Sequence, residues 1–152
     1  MGGNFTGVKN QKLTWLAAVL ATGFLAAAAT ELALVQPADL TAQLAAKGAQ
    51  PAVFMVGPNV LYRSKHIPGA VFAGAAQNEF GLAILKAEAG KLPRDREVVV
   101  YCGCCPWDHC PNIKPAVDLL KQMGFAKVKA LYLGTGFKVD WLDKGYTADP
   151  PR

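Results

Sequence analysis

The segment Glu97–Phe125, EVVVYCGCCPWDHCPNIKPAVDLLKQMGF, constrains this chain more than any other. It predicts strand, loop and helix in immediate succession. Val98, Val99 and Val100 form a continuous β-branched run, the pattern of a strand buried on both faces of a parallel sheet. Ile113, Ala116, Val117, Leu120 and Met123 recur at three- and four-residue spacing, with Asn112 as the expected cap and Gly124 as the stop. Pro115 falls in the first helical turn, which has no use for its N–H. All four cysteines, Cys102, Cys104, Cys105 and Cys110, lie in the loop between, as does His109, one of two histidines.

A cysteine ending a buried strand and facing a helix N-terminus stands in a nucleophile's position. Unpaired N–H groups and the positive end of the helix dipole favour thiolate, the reactive form. The plainer alternative is a disulfide staple. Four cysteines allow three connectivities, and spacing does not choose among them.

The 152 residues suit one domain with a hydrophobic core. Residues 1–29 stand apart as an expected signal peptide. Lys9 and Lys12 precede the uncharged, Ala-rich run Leu13–Ala29, with Ala27 and Ala29 as small residues for cleavage. An uncleaved N-terminal anchor is the alternative, because the run approaches the roughly 20 residues that span a bilayer. No twin arginine or lipidated cysteine is present at this end, so ordinary export to the periplasm or beyond is expected. There thiols tend to oxidise. Loss of the leader removes two lysines and leaves 14 basic against 11 acidic residues, net +3. That charge is mild and scattered, which points away from nucleic acid. A membrane enters only if the leader is retained.

In the mature stretch, 30–152, Glu31–Val35 reads as a short edge strand and Pro37–Gly48 as a helix through Leu40 and Leu44. Pro51–Pro58 reads as a buried strand, Asn59–Lys65 as an irregular, partly basic segment, and His66–Gly74 as a Pro-Gly turn with a strand. Asn78–Gly90 has a helical pattern that puts Phe80, Ala83, Ile84 and Ala87 on one side. Lys127–Gly134 is a fifth strand candidate, and Thr135–Tyr146 a Gly-rich turn with a short helix carrying Trp141. Such alternation predicts an α/β domain, an open parallel sheet with helices on both faces and its chemistry at the carboxyl ends of the strands.

At HIPGAV, at VVVYC with the helix ending in MGF, and at LYLGTGFKVDW…KGY, the chain resembles a rhodanese domain. The resemblance runs from about Leu34 to Tyr146. It implies a single rhodanese-like domain with a five-stranded parallel sheet and a catalytic cysteine after the fourth strand, here Cys102. It implies a sulfurtransferase of the thiosulfate sulfurtransferase kind, with no cofactor. Such enzymes take sulfane sulfur from a small donor, hold it as a cysteine persulfide, and pass it to a thiol acceptor, which can be a protein thiol. Gly103, Cys104, Cys105, Trp107, His109, Cys110 and Lys114 are the loop residues expected around it. The loop departs from the family in carrying no Arg or Lys, so a dianionic donor meets only His109 and, at the helix start, Lys114. Val56-Gly57-Pro58 stands where the family commonly has Asp-Val-Arg. These departures count against thiosulfate more than against persulfide chemistry. The related phosphatase and arsenate-reductase loops need an Arg six residues after the nucleophile. Here those positions hold Asp108, Cys110 and Pro111, which excludes that reading.

The thiols admit three functions. As a sulfurtransferase, Cys102 attacks, and Cys104 or Cys105 resolves its persulfide. As a redox protein, Cys102 and Cys105 form a CxxC unit that cycles between dithiol and disulfide. As a carrier of copper or zinc, three or four thiolates with His109 form a soft site; adjacent Cys104 and Cys105 do not easily both ligate and the spacing is no standard zinc pattern, so this reading ranks third and no metal is assigned. A loop-closing Cys105–Cys110 disulfide is compatible with the first. Outside the loop, His66, Phe137 and Trp141 read as structural. Trp107 reads either as a cover for the site or as packing for the loop, and Asp108-His109 as an acid-base pair or a solvated turn.

Overall fold

The computed structural model describes residues 1–3 and 31–150. The chain divides into two units, Met1–Thr30 and Glu31–Arg152, and the fold belongs to the second. Apart from its first three residues, the expected leader lies outside the described residues. Among the described residues no helix is long and apolar enough to cross a membrane.

Five parallel strands, β1 (Leu34–Val35), β2 (Ala52–Met55), β3 (Val71–Phe72), β4 (Val98–Tyr101) and β5 (Val128–Leu131), form one sheet in the order β1-β5-β4-β2-β3. The continuous apolar run of β4 takes the central place, hydrogen-bonded to β2 and β5, and all four residues are buried. Side chains alternate across it. Val98, Val100 and Cys102 join the core under helices α3 (Glu79–Gly90) and α4 (Ile113–Gln122). Val99 and Tyr101 join the opposite core, with Leu40 of α1 (Pro37–Ala45), Leu61 of α2 (Asn59–Ser64), and Phe137 and Trp141 of the last turn. Helices therefore cover both faces, as the strand-helix alternation predicts.

Local expectations fared unevenly. Asn59–Ser64 is a helix, not an irregular segment. Six residues are too few to display a period, and Pro58 at φ −62° sets the entry. Helix α1 ends at Ala45, short of Gly48. Helix α3 buries Gly81, Leu85 and Ala89 and leaves Phe80 78% exposed, so the predicted face was the wrong one. The cause is a close crossing: a Cβ on Gly81 would run into the Ala75 carbonyl. Only at that glycine can the helix approach the preceding segment, and this contact sets its rotation. In α4, by contrast, Ile113, Ala116, Val117 and Leu120 are buried as the spacing predicts. His66, Trp141 and Phe137 are all buried.

Candidate active site

The site forms where β4 ends. Cys102 is the first residue past Tyr101 and is 3% exposed. Gly103 then turns the chain at φ +78°, a conformation that disfavours any side chain, and a Cβ there would lie 2.7 Å from Phe137 Cβ. Gly57, at the end of β2, is required by proximity: its Cβ would sit 2.7 Å from the Cys102 carbonyl oxygen and 3.0 Å from Cys102 Sγ. Val56-Gly57-Pro58 thus makes room for the cysteine.

The loop is pinned to the body at Trp107. Its N–H donates to the Gly134 carbonyl at 3.2 Å, and its ring lies 5.3 Å from that of Tyr132. Trp107 therefore packs the loop down. From there a 3₁₀ turn, Trp107–His109, returns the chain to Cys110 and the start of α4. Its outward residues Asp108 and His109 are exposed, and neither a hydrogen bond nor an ion pair joins them. Lys114 is also exposed and is bound to Asp118 at 2.6 Å.

This path brings all four sulfurs together. Cys102 Sγ and Cys104 Sγ lie 3.0 Å apart, as do Cys104 Sγ and Cys105 Sγ, and all four sulfurs fall within 4.8 Å of one another. All are free thiols. His109 does not join the group.

Asn112, which sequence reasoning treated as a helix cap, is the residue it missed. It makes no side-chain cap to α4. Its Oδ1 instead accepts the Gln77 N–H at 2.9 Å. Because that partner is a donor, the amide orientation is settled, and Nδ2 must point the other way. It donates to Cys102 Sγ at 3.2 Å and reaches Cys104 Sγ at 3.9 Å. The signal was present in the sequence as a polar residue at the start of a buried helical face. Its direction depended on Gln77, 35 residues away.

The thiols are not equivalent. Cys110 is lowered to about 6, first by the hydrogen bond from the Cys102 thiol, then, against its burial, by the backbone N–H groups of Asn112 and Ile113. Cys102 is pushed well up, first by donating to Cys110 and next by burial. Burial and Cys104 push Cys105 up to about 12. The helix N-terminus thus serves Cys110 directly, whereas Cys102 is served by the Cys104 N–H and the Asn112 amide. The Cys110 sulfur lies within 4.8 Å of the Cys102 sulfur, close enough for the two to share a proton.

Two spaces adjoin the loop. A void of about 10 Å³, room for roughly one water-sized occupant, touches Cys102, Cys105 and Cys110. A larger cavity, about 270 Å³, is lined by Cys102, Gly103, Met55, Phe137, Lys65 and Lys138, among others. Lys138 is paired with Asp143 at 2.7 Å, and among the described residues Lys65 has no such ion pair. Both lysines come from segments far from the loop in sequence.

No protein family and no curated protein matches this sequence. Solved structures do. The Alr3790 protein from Anabaena sp. is 21% identical with a TM-score of 0.60, covering 77% of this chain and 92% of that one. The BH2092 protein from Bacillus halodurans is 20% identical with a TM-score of 0.61, covering 78% and 77%. The rhodanese-like domain of Alr3790 in solution is 22% identical with a TM-score of 0.58, covering 77% and 78%. The fold described here is that of a single rhodanese-like domain.

Proposed function

We propose that this rhodanese-like domain is a sulfurtransferase that carries sulfur as a persulfide on Cys102. One observation carries the reading: the cysteine that follows the central strand is buried against a fixed amide donor, Asn112 Nδ2, with the Cys110 sulfur within 4.8 Å of its own. With a persulfide donor, Cys102–SH and R–SSH give Cys102–SSH and R–SH. Passage to a thiol acceptor, R′–SH, then returns Cys102–SH and forms R′–SSH. The outer sulfur of a persulfide bears negative charge, which the Asn112 N–H stabilises without offering a competing acid. Lys65 and Lys138 at the larger cavity suit an anionic sulfane-sulfur donor. The basic and apolar character of residues 1–29 supports export, and N-terminal sequencing of the mature protein tests that part.

The experiment for the chemistry is intact mass. Reduced, metal-free protein incubated with thiosulfate, polysulfide or a low-molecular-weight persulfide is expected to gain one sulfur, mapped to Cys102, and Cys102→Ser is expected to gain none. A dithiol-disulfide protein would instead lose two hydrogens on oxidation and gain no sulfur. Absence of sulfur on Cys102 with every donor would sink the sulfurtransferase reading.

A further inference from the structure

We infer that Cys102, Cys104, Cys105 and Cys110 form a binding site for one thiophilic d¹⁰ cation, Zn(II) or Cu(I). The inference is independent of sulfur transfer and rests on where the sulfurs are. A tetrahedral zinc with Zn–S bonds of about 2.3 Å has S···S edges of about 3.8 Å. The four Sγ atoms bracket that value, with two separations at 3.0 Å and none above 4.8 Å. Shifts of about 1 Å bring them onto an ion. Sequence spacing ranks such a site last, because Cys104 and Cys105 are adjacent, yet their sulfurs lie 3.0 Å apart within the loop's sulfur cluster. The turn at Gly103 and the anchoring of Trp107 to Gly134 bring the other two sulfurs to that pair.

The donor set selects the cation. Neither a carboxylate nor an imidazole belongs to the cluster, so hard ions such as calcium and magnesium find no ligand, whereas thiolates favour zinc and Cu(I). The void of about 10 Å³ lined by Cys102, Cys105 and Cys110 has room for an atom and not for a substrate. An outer shell is already in place to offset the negative charge of several thiolates around one ion. Asn112 Nδ2 donates to Cys102 Sγ at 3.2 Å and lies 3.9 Å from Cys104 Sγ. Binding releases thiol protons to solvent and leaves every sulfur at its reduced oxidation level. An ion held by Cys102 blocks sulfur on the same atom, so the two occupancies exclude each other.

The test uses the full chain, reduced and stripped of metal, with free thiols counted and the fold checked by circular dichroism. Zn(II) and Cu(I) are titrated separately in competition with chromophoric chelators, and Co(II) serves as the spectroscopic probe. One equivalent is expected to bind, with thiolate-to-cobalt charge-transfer bands and slowed alkylation of the thiols. Cys105→Ser and Cys110→Ser are each expected to weaken binding by at least about 100-fold, beyond the roughly 10–100-fold of an outer-shell change. Cys104→Ser separates the ions: loss of binding supports four-coordinate zinc, and retention of Cu(I) alone supports a three-coordinate copper site on the other sulfurs. A folded, fully reduced protein that takes up neither ion overturns the inference. So does binding that survives the Cys105→Ser/Cys110→Ser double variant. Sulfur uptake measured on the same metal-free preparation keeps failure here distinct from failure of the proposed reaction.

Discussion

Among the described residues two polar side chains are buried, Asn112 and His66, and they are used in opposite ways. Around His66, contacts are with the scaffold. Its Nδ1 lies 2.9 Å from the Tyr62 carbonyl, its ring stacks on Tyr62 at 4.1 Å, and its Nε2 faces the Asp149 carboxylate at 3.5 Å. An isolated bridge joins His66 to Asp149, tying the end of the described chain to the turn before β3. Asn112 spends only one side of its amide on scaffold, the Gln77 N–H, and aims the other at sulfur. Burial alone therefore does not mark function. What distinguishes Asn112 is a buried donor aimed at a thiol sulfur.

The largest effect that would sharpen this contrast is on sulfur loading in Asn112→Ala. A hydrogen bond to a charged group is worth about 1.5–3 kcal/mol, so initial rates of sulfur uptake by intact mass are expected to fall about 10- to 100-fold. An unchanged rate in a folded variant would show that Nδ2 does not serve the anion. His66→Ala is expected to do the reverse, lowering stability by about 2–3 kcal/mol in urea while sulfur uptake per folded molecule stays within about twofold. A rate loss without a stability loss would erase the distinction between the two residues.

The third prediction concerns pH. Cys110 is held at about 6 against an ordinary 9.0. Its folded form therefore binds fewer protons than the unfolded chain between those values. Its contribution to stability is present above about pH 9 and is lost as pH falls through about 6. Cys102 and Cys105 are shifted upward and act oppositely only at higher pH. Urea midpoints of reduced protein should rise with pH across this window, and Cys110→Ser should flatten the rise. Alkylation should show a matching midpoint near 6, with the label on Cys110. The smallest effect is expected from Lys65→Ala: an exposed charge is worth about 0.2–1 kcal/mol, so KM for an anionic donor should rise by up to about fivefold, less at high salt.

These tests fall on residues of unequal legibility. The central strand, the helix after it and the cysteine between them could be read directly, because a β-branched run and a 3.6-residue period are local signals. Helix α2 could not, since six residues carry too little pattern, and the face of α3 was misread because one glycine contact outweighed its periodicity. The cations expected at the loop, His109 and Lys114, are exposed and line neither of the spaces beside Cys102. The cations of the cavity, Lys65 and Lys138, arrive from the end of α2 and from beyond β5.

Sequence alone thus determined that Cys102 directly follows a buried strand and that a helix begins eleven residues later, because both depend on neighbours within a few turns. It left open which way Cys102 faces, for Val98, Val99 and Val100 are all apolar and show no alternation. Pairing of β4 between β2 and β5 decided that, sending Val98, Val100 and Cys102 toward α4. The same packing brought Gln77 to Asn112, turned the amide onto sulfur, and gave the helix N–H groups to Cys110. Those contacts join segments far apart in the chain, and only a closed sheet order brings such segments into hydrogen-bonding range.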